Sequence, residues 1–153
     1  MNESSLGHTP ADTKWAFDES VAACFDDMLQ RSIPLHGVMR DAVTSIAARH
    51  IQENTKVIDL GCSWGRALES TRASALKFGS NRGGIEFEGI EISKPMINKA
   101  RAVFRDCADV TIRDEDVRVW APEPGRASVV LAVLTLLFAP INYRQQIIRR
   151  AWE

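Results

Sequence analysis

The sequence predicts an α/β fold: a parallel sheet with helices on both faces, preceded by two further helices. Three observations carry this. Short apolar or β-branched runs at 56–60, 86–91, 109–113 and 128–134 alternate with stretches of helical periodicity. Such alternation lays successive strands parallel, joined by right-handed crossovers. The run SVVLAVLTLLF at 128–138 is apolar at odd and even positions alike, as a strand covered on both faces must be.

Residues 1 to about 13 carry Gly7, Pro10 and many small polar residues, and read as a loose tail. Residues 14–153 read as one binding domain, with N-terminal cover helices over about 18–52 and a sheet core over about 55–153. The first cover helix starts at Asp18, and Val21, Ala22, Phe25, Met28 and Leu29 share a face. Pro34 breaks it. The second sets Val38, Met39, Ala42, Val43, Ile46 and Ala47 on one face and stops at ENTK. Strand one, Lys56 to Leu60, leads into a helix from about Arg66 to Phe78, and GSNRGG turns the chain back. Strand two spans Glu86 to Glu91. Ser93 is placed to cap the next helix and Pro95 suits its first turn. That helix buries Met96, Ile97, Ala100, Val103 and Phe104. Strand three covers Asp109 to Arg113 and strand four Ser128 to Leu134. A last helix begins near Pro140, with Ile141, Ile147, Ile148, Ala151 and Trp152 as its apolar positions.

Composition narrows the function classes. The 153 residues suffice for one domain, and 45% hydrophobic with 25% charged residues is ordinary for a soluble globular protein. A formal net charge of -1 gives no direct signal for nucleic acid or an anionic membrane. Cys24, Cys62 and Cys107 are few, odd in number and far apart, so reduced thiols in a cytoplasmic protein are expected rather than disulfides or zinc. His36 and His50 have no second ligand at metal spacing, and no metal is expected. The start, MNESSLGHTPADTK, is too polar for a signal peptide. The longest apolar run, 127–141, is short for a membrane span.

The chemistry concentrates at strand ends. In VIDLGCSWGRAL, Gly61 and Gly65 bracket the turn from strand one into a helix whose free N–H groups attract an anionic group. A dinucleotide fingerprint asks for glycine at 63, where this chain has Ser63. The pattern D-x-G-x-x-x-G from Asp59 instead has the form of an S-adenosylmethionine site. Glu91, ending strand two, can accept hydrogen bonds from two ribose hydroxyls, or simply cap the following helix. Asp116 and Val117 follow strand three, where an adenine can meet a carboxylate and an N–H, although RDEDVR also reads as a solvated charged face. Trp64 stacks on the ligand or packs in the core. Cys62 sits at a helix start, but no base and orienting group accompany it, so no catalytic base is assigned.

Four blocks then suggest a family. FDESVAACFDDMLQRSIPLHG, KVIDLGCSWG, GIEISKPMINKAR and SVVLAVLTLLFAP resemble, in order and spacing, the successive blocks of the carboxy-S-adenosylmethionine synthases, over roughly residues 15–150. The resemblance implies a Rossmann-like class I methyltransferase fold with seven strands. It also implies S-adenosyl-L-methionine, or its homocysteine or carboxy form, as cofactor, and for the family a role in modifying the wobble uridine of tRNA using prephenate. It places Gly61, Cys62, Ser63 and Gly65 around the methionine part, with Asp59 orienting it directly or through water. Glu91 with Ile92 then lies at the ribose, Asp116 with Val117 at the adenine, Ala132 on strand four beside the cofactor, and Arg31 and His36 of the cover at the methionine end or the acceptor. The family carries tyrosine where this chain has His36, aspartate–asparagine at Glu91-Ile92, and asparagine at Ala132.

Only four of the seven strands are expected, with strand four as a bare edge. A fragment, a shortened homologue, or pairing of strand four with a second copy or a partner chain would each account for that. Three functional readings follow: an S-adenosylmethionine-dependent methyltransferase of unknown acceptor, a carboxy-S-adenosylmethionine synthase, or a non-catalytic nucleoside-binding or partner subunit.

Overall fold

The computed structural model describes residues 17–77 and 83–152. The predicted tail at 1–13, and residues 78–82 with most of the predicted turn, lie outside them. In chain order the elements are α1 (Glu19–Ser32), α2 (His36–His50), β1 (Lys56–Leu60), α3 (Arg66–Lys77), β2 (Glu86–Glu91), α4 (Lys94–Val103), β3 (Val110–Asp114), β4 (Ala127–Leu131) and α5 (Ile141–Trp152). The four strands form one parallel sheet in the order β3-β2-β1-β4.

Local chemistry sets the boundaries. Asp18 caps α1, its carboxylate accepting from the Val21 amide at 3.0 Å. Pro34 and the left-handed Leu35 (φ 56°) turn the chain into α2. Ser93 stands at the N-cap of α4, but its hydroxyl donates to the Phe17 carbonyl at 2.6 Å instead of capping.

Alternation along the strands creates two unlike faces. Val57, Leu68, Phe87, Ile97, Ala100, Phe104 and Ile112 build a core beneath α3 and α4. Ile58, Leu60 and Ile90 on the opposite face pack with Trp120, from the β3–β4 connection, and with Ile147 of α5. Across the carboxyl ends, Ala22 and Phe25 of α1 pack on Trp64 and Met96.

Four expectations are corrected. Strand four ends at Leu131, not Leu134, because the chain turns through a left-handed Leu134 (φ 59°) and the Thr135 hydroxyl donates to the Leu60 carbonyl at 2.6 Å. Ala132 is therefore past the strand and exposed. On α2 the buried residues are Thr44, Ala47 and Ala48, whereas Val38 and Ile46 face solvent. The helix lies close against α3 and β4, and small residues permit that approach. Val103 of α4 is exposed, and on α5 only Ile147 is fully buried. Among the described residues no helix is long and apolar enough to cross a membrane, and no cluster of three or more His, Cys, Asp or Glu is placed to hold a metal ion.

Candidate functional site

The loop 61–65 leaves β1 through three residues at positive φ: Gly61 (68°), Ser63 (51°) and Gly65 (95°). The Gly61 and Cys62 amides both donate to the Ile90 carbonyl, at 2.8 and 3.1 Å, so the loop is stitched to β2. The structure brings Ser63 and Glu91 together: the Ser63 amide donates to Glu91 Oε2 at 2.9 Å. Glu91 Oε1 accepts from the Ile92 and Ser93 amides at 2.9 and 2.8 Å. Glu91 thus anchors the loop, a role the sequence did not suggest, and holds the amides at the approach to α4, close to the capping alternative.

The fold itself demands both glycines. A Cβ on Gly61 would lie 2.6 Å from Thr135 Cγ2, and one on Gly65 would strike the Phe104 ring. Protein side chains occupy both places, and left-handed backbone adds a second reason for glycine.

Asp59 lies in β1 level with Gly89 of β2 and Leu131 of β4. It is 2% exposed, and its Oδ2 has no hydrogen-bond partner. Burial, then the negative charge of Glu91, pushes its pKa up to about 8. Burial and the same two carboxylates also push the Cys62 thiol up, which makes it a poor nucleophile.

Asp116 opens the turn after β3. Its Oδ1 accepts from the Arg118 amide at 2.8 Å and its Oδ2 from Arg118 Nε at 2.7 Å. That hydrogen-bonded guanidinium holds the Asp116 carboxyl below its ordinary range. Val117 packs against the Trp120 cluster.

The remaining predicted residues scatter. Ile92 is exposed although it adjoins Glu91. His36 is half-buried at the start of α2. Arg31 stands on the solvent side of α1, paired with Asp27 at 3.3 Å, and contributes nothing visible to the strand ends. Trp64 takes the packed alternative: it is buried beneath α1, its Nε1 donates to Asp26 at 3.0 Å, and Arg66 and Lys99 lie 4.3 and 4.6 Å from the ring centroid.

Sequence reasoning missed Thr135, which fills the space beside Gly61, and Phe17, whose ring meets Phe138 edge-on at 5.3 Å while its carbonyl holds Ser93. These contacts join distant segments and leave no periodic signal. The Asp116–Arg118 pair was legible as a local i, i+2 pair inside RDEDVR.

Comparison with known family profiles matches none. The chain is similar along its whole length to the carboxy-S-adenosyl-L-methionine synthase of Pasteurella multocida (strain Pm70), with 33% identity over 158 residues, all of this chain and 63% of that protein. The corresponding protein of Erwinia tasmaniensis is 32% identical over 99% of this chain and 61% of its own length. The chain thus spans about three fifths of these relatives. Among solved structures, a SAM-dependent methyltransferase from Aquifex aeolicus superposes with a TM-score of 0.61 at 15% identity, over 89% of this chain and 68% of that one. A SAM-dependent methyltransferase from Geobacter sulfurreducens in complex with S-adenosyl-L-homocysteine gives 0.53 at 19% identity, over 74% and 43%. The fold is that of the class I S-adenosylmethionine-dependent methyltransferases, Rossmann-like, with four strands among the described residues.

Proposed function

We propose that the chain is the S-adenosylmethionine-binding part of a class I transferase, holding its cofactor at the carboxyl ends of β1, β2 and β3. The observation that carries this is the contact of Ser63 with Glu91, set where open parallel sheets receive ligands, in a chain similar throughout to carboxy-S-adenosyl-L-methionine synthases.

The residues present fit such a group with one rearrangement. An ionised carboxylate offers about four acceptor positions, and Glu91 uses three of them on backbone amides. One ribose hydroxyl bonds to it as it stands. Holding both hydroxyls requires the Ser63 amide to let go, and that N–H is then free to donate to the methionine carboxylate. The unpartnered Oδ2 of Asp59 suits the ammonium group, directly or through water. Asp116 keeps acceptor capacity for the adenine amino group, with Val117 beside it. Cys62, Ile92, His36 and Ala132 complete the surroundings in this reading, and Arg31 drops out.

When bound, the cofactor supplies an activated carbon that is already electrophilic. The protein's part is to bind and orient it. The reading places the protein in the cytoplasm and treats the cover helices and sheet as one binding unit, with the acceptor open.

Titration calorimetry with S-adenosylmethionine and S-adenosylhomocysteine tests it. Glu91→Ala lowers the affinity about tenfold or more, since losing a charged hydrogen-bond partner costs at least ~1.4 kcal/mol. Folded protein giving no heat with either ligand would remove the binding reading and leave the non-catalytic partner subunit. Carboxy-S-adenosylmethionine synthesis, and with it a part in tRNA modification, is the second reading, favoured by what these relatives are called. Mass spectrometry of a reaction with prephenate separates the two.

A further inference from the structure

Residues 63 and 64 are neighbours in the loop after β1, and a carboxylate from a different element fastens each of them. The Ser63 amide donates to Glu91, at the end of β2, at 2.9 Å. The Trp64 indole Nε1 donates to Asp26, on α1, at 3.0 Å. On either side the loop is tied by backbone: the Gly61 and Cys62 amides to the Ile90 carbonyl, and the Gly65 amide to the Cys62 carbonyl at 2.8 Å. Trp64 stands between two residues at positive φ, Ser63 and Gly65. Its ring is buried against Ala22 and Phe25 of α1 and Met96 of α4. Both flanking cations also reach α1. Lys99, over the ring, donates to the Ala22 carbonyl at 3.3 Å, and Arg66, over the ring, donates to Asp26 at 3.5 Å. A ring packed on so many sides leaves its own backbone little freedom. The seat of α1 and the shape of the loop thus share one side chain.

We propose that Asp26 is a positioning residue for the ligand loop: by holding the Trp64 indole it fixes residues 63–65 against Glu91, so that α1 and the loop dock and release together. When α1 lifts, Trp64 loses its hydrogen bond and its packing on Ala22 and Phe25 at once. The Ser63 amide, one residue away, then loses the support that keeps it at Glu91. In the other direction, a ligand that draws the Ser63 amide off Glu91 pulls on the neighbour of the residue that α1 grips. One packed unit is biased from both ends, which is the physical requirement for coupling. The Asp26–Arg66 contact is long and half-exposed and adds little. The bond to the indole carries the effect. A loop fixed in advance spares a ligand the cost of ordering it. That consequence for affinity rests on the reading of Ser63 and Glu91 as the cofactor's place. The coupling of α1 to the loop does not.

Amide exchange of the 153-residue chain, followed residue by residue by NMR, tests the coupling without any ligand. Asp26→Ala is expected to speed exchange about fivefold in α1 and equally in residues 61–65, as loss of one hydrogen bond to a charged group does. Alanine is the better helix former, so propensity alone would slow exchange in α1. Trp64→Phe keeps a ring, removes the N–H and loosens the same two segments. Adding Asp26→Ala to it changes nothing further, as a shared contact requires. Asp26→Asn keeps an acceptor for the indole and restores both segments. Titration calorimetry with S-adenosylhomocysteine then reads the ligand: Asp26→Ala weakens binding about fivefold, and Asp26→Asn does not. A variant in which α1 loosens while the loop exchanges as before makes Asp26 a local support and overturns the proposal. So do independent, additive effects of the two substitutions, or an affinity that Asp26→Ala leaves unchanged. Unaltered protein that gives no heat with the ligand removes the cofactor reading instead, and the exchange rates alone then decide the coupling.

Discussion

The two faces of the sheet solve the same burial problem in different ways. One is covered by α2, α3 and α4 over a continuous apolar cluster. Among the described residues the other carries only α5 and the buried Trp120 above its apolar half. Its other half holds an ionic ladder in which Glu88 takes Lys56 at 3.2 Å and Arg113 at 2.9 Å. Acids are buried on both faces, Glu88 on the thin one and Asp59 with Glu91 on the dense one. Glu88 has two cations, whereas Asp59 has none among the described residues and faces Glu91. A thinly covered face can hold its carboxylate by charge pairing. The densely covered face leaves Oδ2 of Asp59 without a partner, at a cost in stability that a binding role would explain.

Removing the unpaired acid is the strongest test of this contrast. Asp59 has its pKa raised from 3.8 to about 8 in the fold. Between about pH 4 and 8 the unfolded chain ionises there and the folded chain does not, so stability falls as pH rises through that window. Asp59→Asn is expected to stabilise the protein by up to about 4 kcal/mol at pH 7, with no gain near pH 4. Urea denaturation at several pH values measures it, and a gain independent of pH would contradict the assignment. Next comes packing. Ile97→Ala, in the dense core, is expected to cost about 3 kcal/mol, and Ile147→Ala, beneath the single helix, about 2 kcal/mol. Equal losses would erase the difference between the faces. The smallest effect is Glu88→Gln, expected to cost about 1 kcal/mol because Arg113 is partly solvated. A larger loss, seen in the same assay, would make the ladder the main support of its face.

Strand and helix order was legible because β1 and β2 announce themselves by composition and flanking turns; both occupy the predicted residues 56–60 and 86–91. Where prediction slipped, the deciding neighbour was remote in sequence. Thr135 pulls the chain out of strand four early by reaching Leu60, which no local pattern reveals. Val38 and Ile46 kept a helical period, yet α2 turned alanines inward because α3 lies so near. At the site, Gly61, Ser63 and Glu91 could be placed together from their strand ends alone. The isolation of Asp59 could not, since it depends on what neighbouring strands fail to provide. Nor could Arg31, whose partner Asp27 lies one turn back on the solvent side.

The glycines at 61 and 65 each sit under a side chain from a distant segment, Thr135 and Phe104. Architecture alone is enough to preserve them. A descendant that had lost every trace of ligand affinity would still be selected to keep this fingerprint, simply to stay folded. The motif therefore testifies to the fold, and a binding role has to be witnessed elsewhere, in a buried acid such as Asp59 that the scaffold would be more comfortable without.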